Sequence, residues 1–121
     1  MPKVGETVVN EKGGKQSYLG VRCDLLPELA ILEISKVLHR AAEKYGEDNW
    51  KDITVDEHVN HCLTHLFMYL SGDTNEDHLS NAACRGLMAL HMSKVPADGG
   101  LVRTRRRTGK AGSARNKRKS K

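Results

Sequence analysis

The sequence predicts a small all-α fold, with three main helices in an antiparallel bundle that oligomerisation completes and a disordered basic C-terminal tail. Three observations predict it. Residues 27 to 93 carry apolar side chains at helical spacing rather than in alternation. Turn formers interrupt that span at two places, EDNWKDI and SGDTN. The hydrophobic fraction of 38%, with a single Phe and a single Trp in 121 residues, gives a thin core that a partner subunit would help to cover.

Residues 1 to 24 are polar and Gly-containing, without a sustained period, and read as a loop or arm. Its GGK at 13 to 15 is not a phosphate loop, because the upstream Gly, the following Ser/Thr and a strand-turn-helix setting are missing. The helical domain spans 25 to 95. Its first helix, about 27 to 45, places Leu29, Leu32, Ile34, Val37, Leu38, Ala41 and Ala42 on one broad side, with Pro27 at the first turn and Gly46 as C-cap. In the following loop Trp50 either plugs the end of the core or offers a stacking surface. Helix two is expected from about 55 to 71 and helix three from about 75 to 93. The short SGDTN link makes them antiparallel neighbours.

Residues 96 to 121 form the tail. All fifteen acidic residues lie at or before Asp98, with ten of the twenty Lys/Arg, so the chain up to Asp98 is 10 − 15 = −5 and the stretch beyond it +10. The tail cations are Arg103, Arg105, Arg106, Arg107, Lys110, Arg115, Lys117, Arg118, Lys119 and Lys121. A run of this kind repels itself and has no buriable face, which predicts disorder. Its uses are non-specific contact with nucleic acid or simple solubilisation. No leader-like N-terminus and no apolar run long enough to span a bilayer is present, which predicts a soluble intracellular chain. Cys23, Cys62 and Cys84 lack the pairing of a disulfide framework or a thiolate zinc site and read as small buried apolar residues.

Helices two and three begin alike. Thr54-x-x-Glu57 and Thr74-x-x-Asp77 both fit a capping box. At roughly 100° per residue, His58, His61 and His65 fall in one narrow arc of helix two, with Val59, Leu63, Leu66 and Leu70 on the adjoining, core-facing side. On helix three the equivalent arc holds His78, Asn81 and Arg85. If the stripes meet, imidazoles and carboxylates suited to a divalent transition metal converge beside a guanidinium suited to phosphate.

The stretches GGKQS, RCDLLP, AAEKYGEDNW, DEHVNHCLTHL and SGDTNEDHLSNAACR resemble, in order and spacing over about residues 13 to 92, the phage dATP/dGTP diphosphohydrolase N-terminal domain family. More distantly the chain is similar to MazG-like nucleotide pyrophosphohydrolases. The resemblance implies a phage-encoded, oligomeric enzyme of the bacterial cytoplasm. It would hydrolyse a purine deoxynucleoside triphosphate to the monophosphate and pyrophosphate, using a divalent metal, Mn or Mg. The MazG-like acidic pairs are not found, since no Glu-x-x-Glu or Glu-x-x-Asp occurs; the nearest is Asp73-x-x-Glu76, at a turn. The expected metal ligands are therefore His58, His61, Asp77 and His78, a set that favours Mn over Mg. His65 or Glu57 would take the proton of the attacking water. Lys44, Asn49, Trp50, Asn81 and Arg85 would contact substrate. The alternative is a non-enzymatic helical module that binds nucleic acid through its tail.

Overall fold

A computed structural model describes residues 1–96. The tail cations from Arg103 to Lys121 lie outside the described residues. The order of elements is a strand pair, β1 (Thr7–Val9) and β2 (Lys15–Ser17), then α1 (Glu28–Tyr45), α2 (Val55–Leu70) and α3 (His78–Lys94).

The N-terminal segment, expected as a loop or arm, contains an antiparallel hairpin in which Thr7, Val8 and Val9 pair with Ser17, Gln16 and Lys15. Asn10 builds its turn. Its Oδ1 accepts from the amides of Lys12 and Gly14 at 2.9 and 2.8 Å, while Gly13 takes φ +87°, a conformation that glycine adopts without a Cβ clash. Three residues per strand are too few for the alternation to stand out in the sequence.

α1 starts behind Pro27, whose carbonyl accepts from Ile31 N at 3.0 Å, and stops at Gly46, whose φ of 99° ends the helical run. Its Ile34, Val37 and Leu38 pack on Cys84 and Met88 of α3, and Trp50 joins that cluster from the connecting segment. Trp50 thus plugs the core end. The segment turns back through Asp48 at φ 65°, a left-handed conformation that Asp tolerates better than most side chains.

α2 opens with the expected capping box: Thr54 Oγ1 accepts from Glu57 N at 3.2 Å, and Thr54 N donates to Glu57 Oε1 at 3.3 Å. α3 does not begin at Thr74. Asp77 is its cap, with Oδ1 accepting from Ser80 N at 3.1 Å, and helix starts three residues later than expected. The reason lies in the turn: Gly72 at φ 91° and the Asn75 to Asp73 side-chain bond of 3.0 Å hold residues 72 to 75 out of helical geometry.

The packing differs from expectation in one main respect. α2 meets α3 through His58, Cys62 and His65, while its apolar stripe lies outside, with Leu63 47% and Leu70 74% exposed. His58 is buried and His65 half-buried, and each finds a hydrogen-bond partner across the seam, so the contact leaves neither ring orphaned. The core itself is small: Ile34, Ala82, Cys84, Met88 and Ala89 are its buried hydrophobic members. Of the cysteines, all unpaired, only Cys84 is buried; Cys62 is half-buried and Cys23 exposed. Among the described residues no helix is long and apolar enough to cross a membrane.

Candidate functional site

The two polar stripes face each other. Because the helices are antiparallel, the first member of one meets the last member of the other: Arg85 Nη1 lies 2.9 Å from His58 Nδ1, and His65 Nδ1 lies 2.9 Å from His78 Nδ1. This makes two sites along one seam. Seven residues of α3 separate them, about 10 Å at the helical rise.

At the first site His58 has no exposed surface. Guanidinium nitrogens only donate, so Arg85 fixes Nδ1 as the acceptor; Nε2 then carries the proton and donates to the Trp50 carbonyl at 2.9 Å. Burial, with the nearby Arg85 charge, pushes the His58 pKa below its ordinary value against the opposing effect of the Trp50 carbonyl. His58 is a neutral latch joining α2, α3 and the Trp50 segment. Both its nitrogens are occupied, so this expected metal ligand has no lone pair to give. Arg85, whose pKa is lowered by burial, also lines a cleft of about 700 Å³ with Ala41, Tyr45, Asn49, Trp50 and Lys51. In that cleft Asn49 Oδ1 is buried with no hydrogen-bond partner among the described residues. Three expected substrate contacts, Asn49, Trp50 and Arg85, therefore share one cavity. Lys44 does not line it; its Nζ sits 5.1 Å over the Tyr45 ring.

At the second site His65, Glu76 and His78 present ligand atoms within 4.8 Å of one another. Buried His78 is held from behind by Asp73, whose Oδ2 accepts from Nε2. Asn81 Nδ2 donates to Glu76 Oε1 at 3.0 Å. With the His78 proton on Nε2, its Nδ1 is a lone pair that accepts from His65 Nδ1–H without an ion; the other tautomer of His65, protonated at Nε2, turns a second Nδ1 lone pair toward the same point. Burial pushes the His65 pKa down, with Glu76 opposing and His78 adding to the shift. A divalent ion implied by the family resemblance fits this group. The two Nδ1 atoms stand near the spacing of about 3 Å that adjacent nitrogens take around an ion with bonds of about 2.1 Å. Asp73 supplies the carboxylate behind a ligand histidine that recurs in metal sites.

The expected ligand set is thus redistributed. His78 belongs to the cluster. Asp77 spends both carboxylate oxygens on Ser80, whose bonds hold its pKa below the ordinary range. His61 is exposed and outside the group, and Glu57 is engaged in the α2 cap. Glu76 and Asp73 were not expected here. Their signal was the Asp73-x-x-Glu76 pair, set aside because it lies at a turn; that turn folds both carboxylates back on His78.

No curated protein and no solved structure matches the chain. The family described as dATP/dGTP diphosphohydrolase, N-terminal, matches residues 10–98, a span that takes in the hairpin turn, the cleft and both ends of the seam. The chain belongs to that family.

Proposed function

We propose that the protein is a metal-dependent hydrolase that converts a purine deoxynucleoside triphosphate, dGTP or dATP, to the monophosphate and pyrophosphate. The observation that carries this reading is the His65, Glu76 and His78 group, backed by Asp73 and set about two helical turns from a cleft of nucleoside size. Those three residues would hold the ion. Their nitrogen content favours Mn over Mg. The bound ion supplies Lewis acidity to the phosphate oxygens and to water.

In the reaction the water oxygen bonds to the α-phosphorus, the bond from that phosphorus to the bridging β-phosphate oxygen breaks, and pyrophosphate leaves. Glu76, exposed and held at Oε1 by Asn81, would ligate through one carboxylate oxygen and take the water's proton on the other. Arg85, which lines the cleft and follows the cluster residue His78 two turns along α3, would offset charge on the phosphates. Asn49 and Trp50 form the part of the cleft wall against which the base would lie. The apolar Ala41 and Tyr45 complete that wall.

The test is pyrophosphate release from dGTP and dATP with Mn²⁺ or Mg²⁺. The expected result is turnover by the wild-type protein and a loss of at least about 100-fold in Glu76→Gln and His78→Ala. Folded wild-type protein that releases no pyrophosphate with either nucleotide and either ion refutes the reading.

A further inference from the structure

The cations that line the cleft, Lys51 and Arg85, are treated differently by the fold. Lys51 is neutralised by Asp48, whose Oδ1 accepts from its Nζ at 3.0 Å. Arg85 is not: among the described residues no carboxylate forms an ion pair with it. Glu57, whose negative charge acts on Arg85, is engaged in the Thr54 cap instead. The side-chain partner that Arg85 does have is His58 Nδ1, at 2.9 Å. A half-buried guanidinium without a counter-ion costs stability. A carboxylate in place of the imidazole would remove that cost by meeting the guanidinium with charge as well as with a hydrogen bond. The imidazole acts otherwise. Its lone pair takes one N–H and fixes the direction of the group, and the positive charge stays whole.

We infer that His58 is a positioning residue for phosphate recognition, which aims the Arg85 guanidinium along the cleft while leaving its full charge for a phosphate of the nucleotide. The inference rests on the reading of the cleft as a nucleotide site. His58 has no exposed surface, so it touches no ligand and acts through its two partners alone. One N–H of Arg85 is spent on the ring, and the other guanidinium N–H groups are left for an anion. The second bond, from Nε2–H to the Trp50 carbonyl, sets the ring against the cleft wall, so that one imidazole holds both the cation and the wall. Neutrality is built into this arrangement, because a ring that donates at Nε2 and accepts from a cation at Nδ1 has no place for a second proton. A neutral orienting group suits a ligand that brings its own negative charge. A phosphate does so, and its oxygens match the guanidinium fork.

The test compares the affinities of dGMP and deoxyguanosine for the full chain, read from the fluorescence of Trp50, the single tryptophan, without added divalent ion. Their ratio isolates the phosphate. Wild-type protein is expected to favour dGMP by about 10–100-fold, the range of a charge-assisted hydrogen bond, and Arg85→Met to lose that preference. His58→Gln keeps an acceptor and a donor and stays neutral, so its ratio should remain within about threefold of wild type. His58→Glu, of the same size, orients the guanidinium but neutralises it, and its ratio should fall to that of Arg85→Met. A merely structural role for His58 would weaken both compounds alike and leave the ratio unchanged. Nitrogen NMR of the wild-type imidazole needs no variant: His58 should stay the Nε2–H tautomer with dGMP bound. A wild-type ratio near one, a His58→Glu variant that keeps the wild-type ratio, a His58→Gln variant that loses it, or a doubly protonated His58 in the complex overturns the proposal. Missing pyrophosphate release with the ratios as expected removes the hydrolase reading alone, and wild-type protein that binds neither compound overturns both.

Discussion

Replacing His58 by Leu removes a side chain that joins both seam helices to the Trp50 segment, and the structure sets the size of the effect. Leucine approximates the imidazole volume, so little cavity is left; the loss is polar. The Trp50 carbonyl forfeits its 2.9 Å donor, at about 1–3 kcal/mol for a buried acceptor, and Arg85 forfeits a charged hydrogen bond worth about 1.5–3 kcal/mol. Arg85 borders an open cleft and recovers part of its share from water, so the expected cost is about 3 kcal/mol. Arg85→Met alone strands only the His58 Nδ1 lone pair and costs about 1–2 kcal/mol. The double variant replaces both partners with apolar groups and should cost about 1–2 kcal/mol less than the sum of the singles. Urea denaturation followed by circular dichroism measures all three. Strict additivity would refute the latch, and a fall of more than about tenfold in Mn²⁺ affinity in His58→Leu would return His58 to the ligand set.

Stability should also fall with acid through the same residue. The folded pKa of His58 is depressed, so below about pH 6.5 the unfolded chain binds a proton that the folded chain refuses; stability is full above that pH and declines beneath it by up to ~1.4 kcal/mol per pH unit. His58→Asn should flatten part of that slope in urea titrations between pH 5.5 and 7.5. Glu57→Gln should leave pyrophosphate release within about threefold of wild type while costing up to about 1 kcal/mol, since Glu57 serves the α2 cap; a collapse of turnover would restore it as a catalytic group. Asp73→Asn should weaken Mn²⁺ binding by about 10–100-fold in calorimetric titration, and unchanged affinity would remove Asp73 from the site. Deleting residues 103 to 121 should abolish any salt-sensitive binding to DNA without changing the turnover of dGTP, and tight DNA binding that survives the deletion would locate that contact elsewhere.

The three helices were legible because their periodicity spans several turns, and the Thr54 box because its two partners are three residues apart in sequence. The meeting of the stripes was legible as a possibility: His58, His61, His65 and His78, Asn81, Arg85 occupy equivalent arcs, and antiparallel packing pairs first with last. What packing decided was which side of each helix turned inward. The apolar stripe of α2 reads as core, yet it is His58 that is buried and His65 half-buried, each with a partner across the seam. Glu76 and Asp73 were hidden for a different reason. A carboxylate in a turn has no fixed phase relative to a helix, and only the path set by Gly72 and Asn75 brings it onto His78. The hairpin escaped because its strands are three residues long.

The proposed hydrolysis depends on an ion held between His65, Glu76 and His78. Diffraction at the manganese edge from crystals soaked in Mn²⁺ and a non-hydrolysable dGTP analogue tests it most directly. The expected result is one strong anomalous peak within bonding distance of His65 Nδ1, His78 Nδ1 and a Glu76 oxygen, with the base in the cleft beside Asn49 and Trp50. A peak among His58, His61 and Asp77, or no peak at the cluster while the analogue is bound, would contradict it.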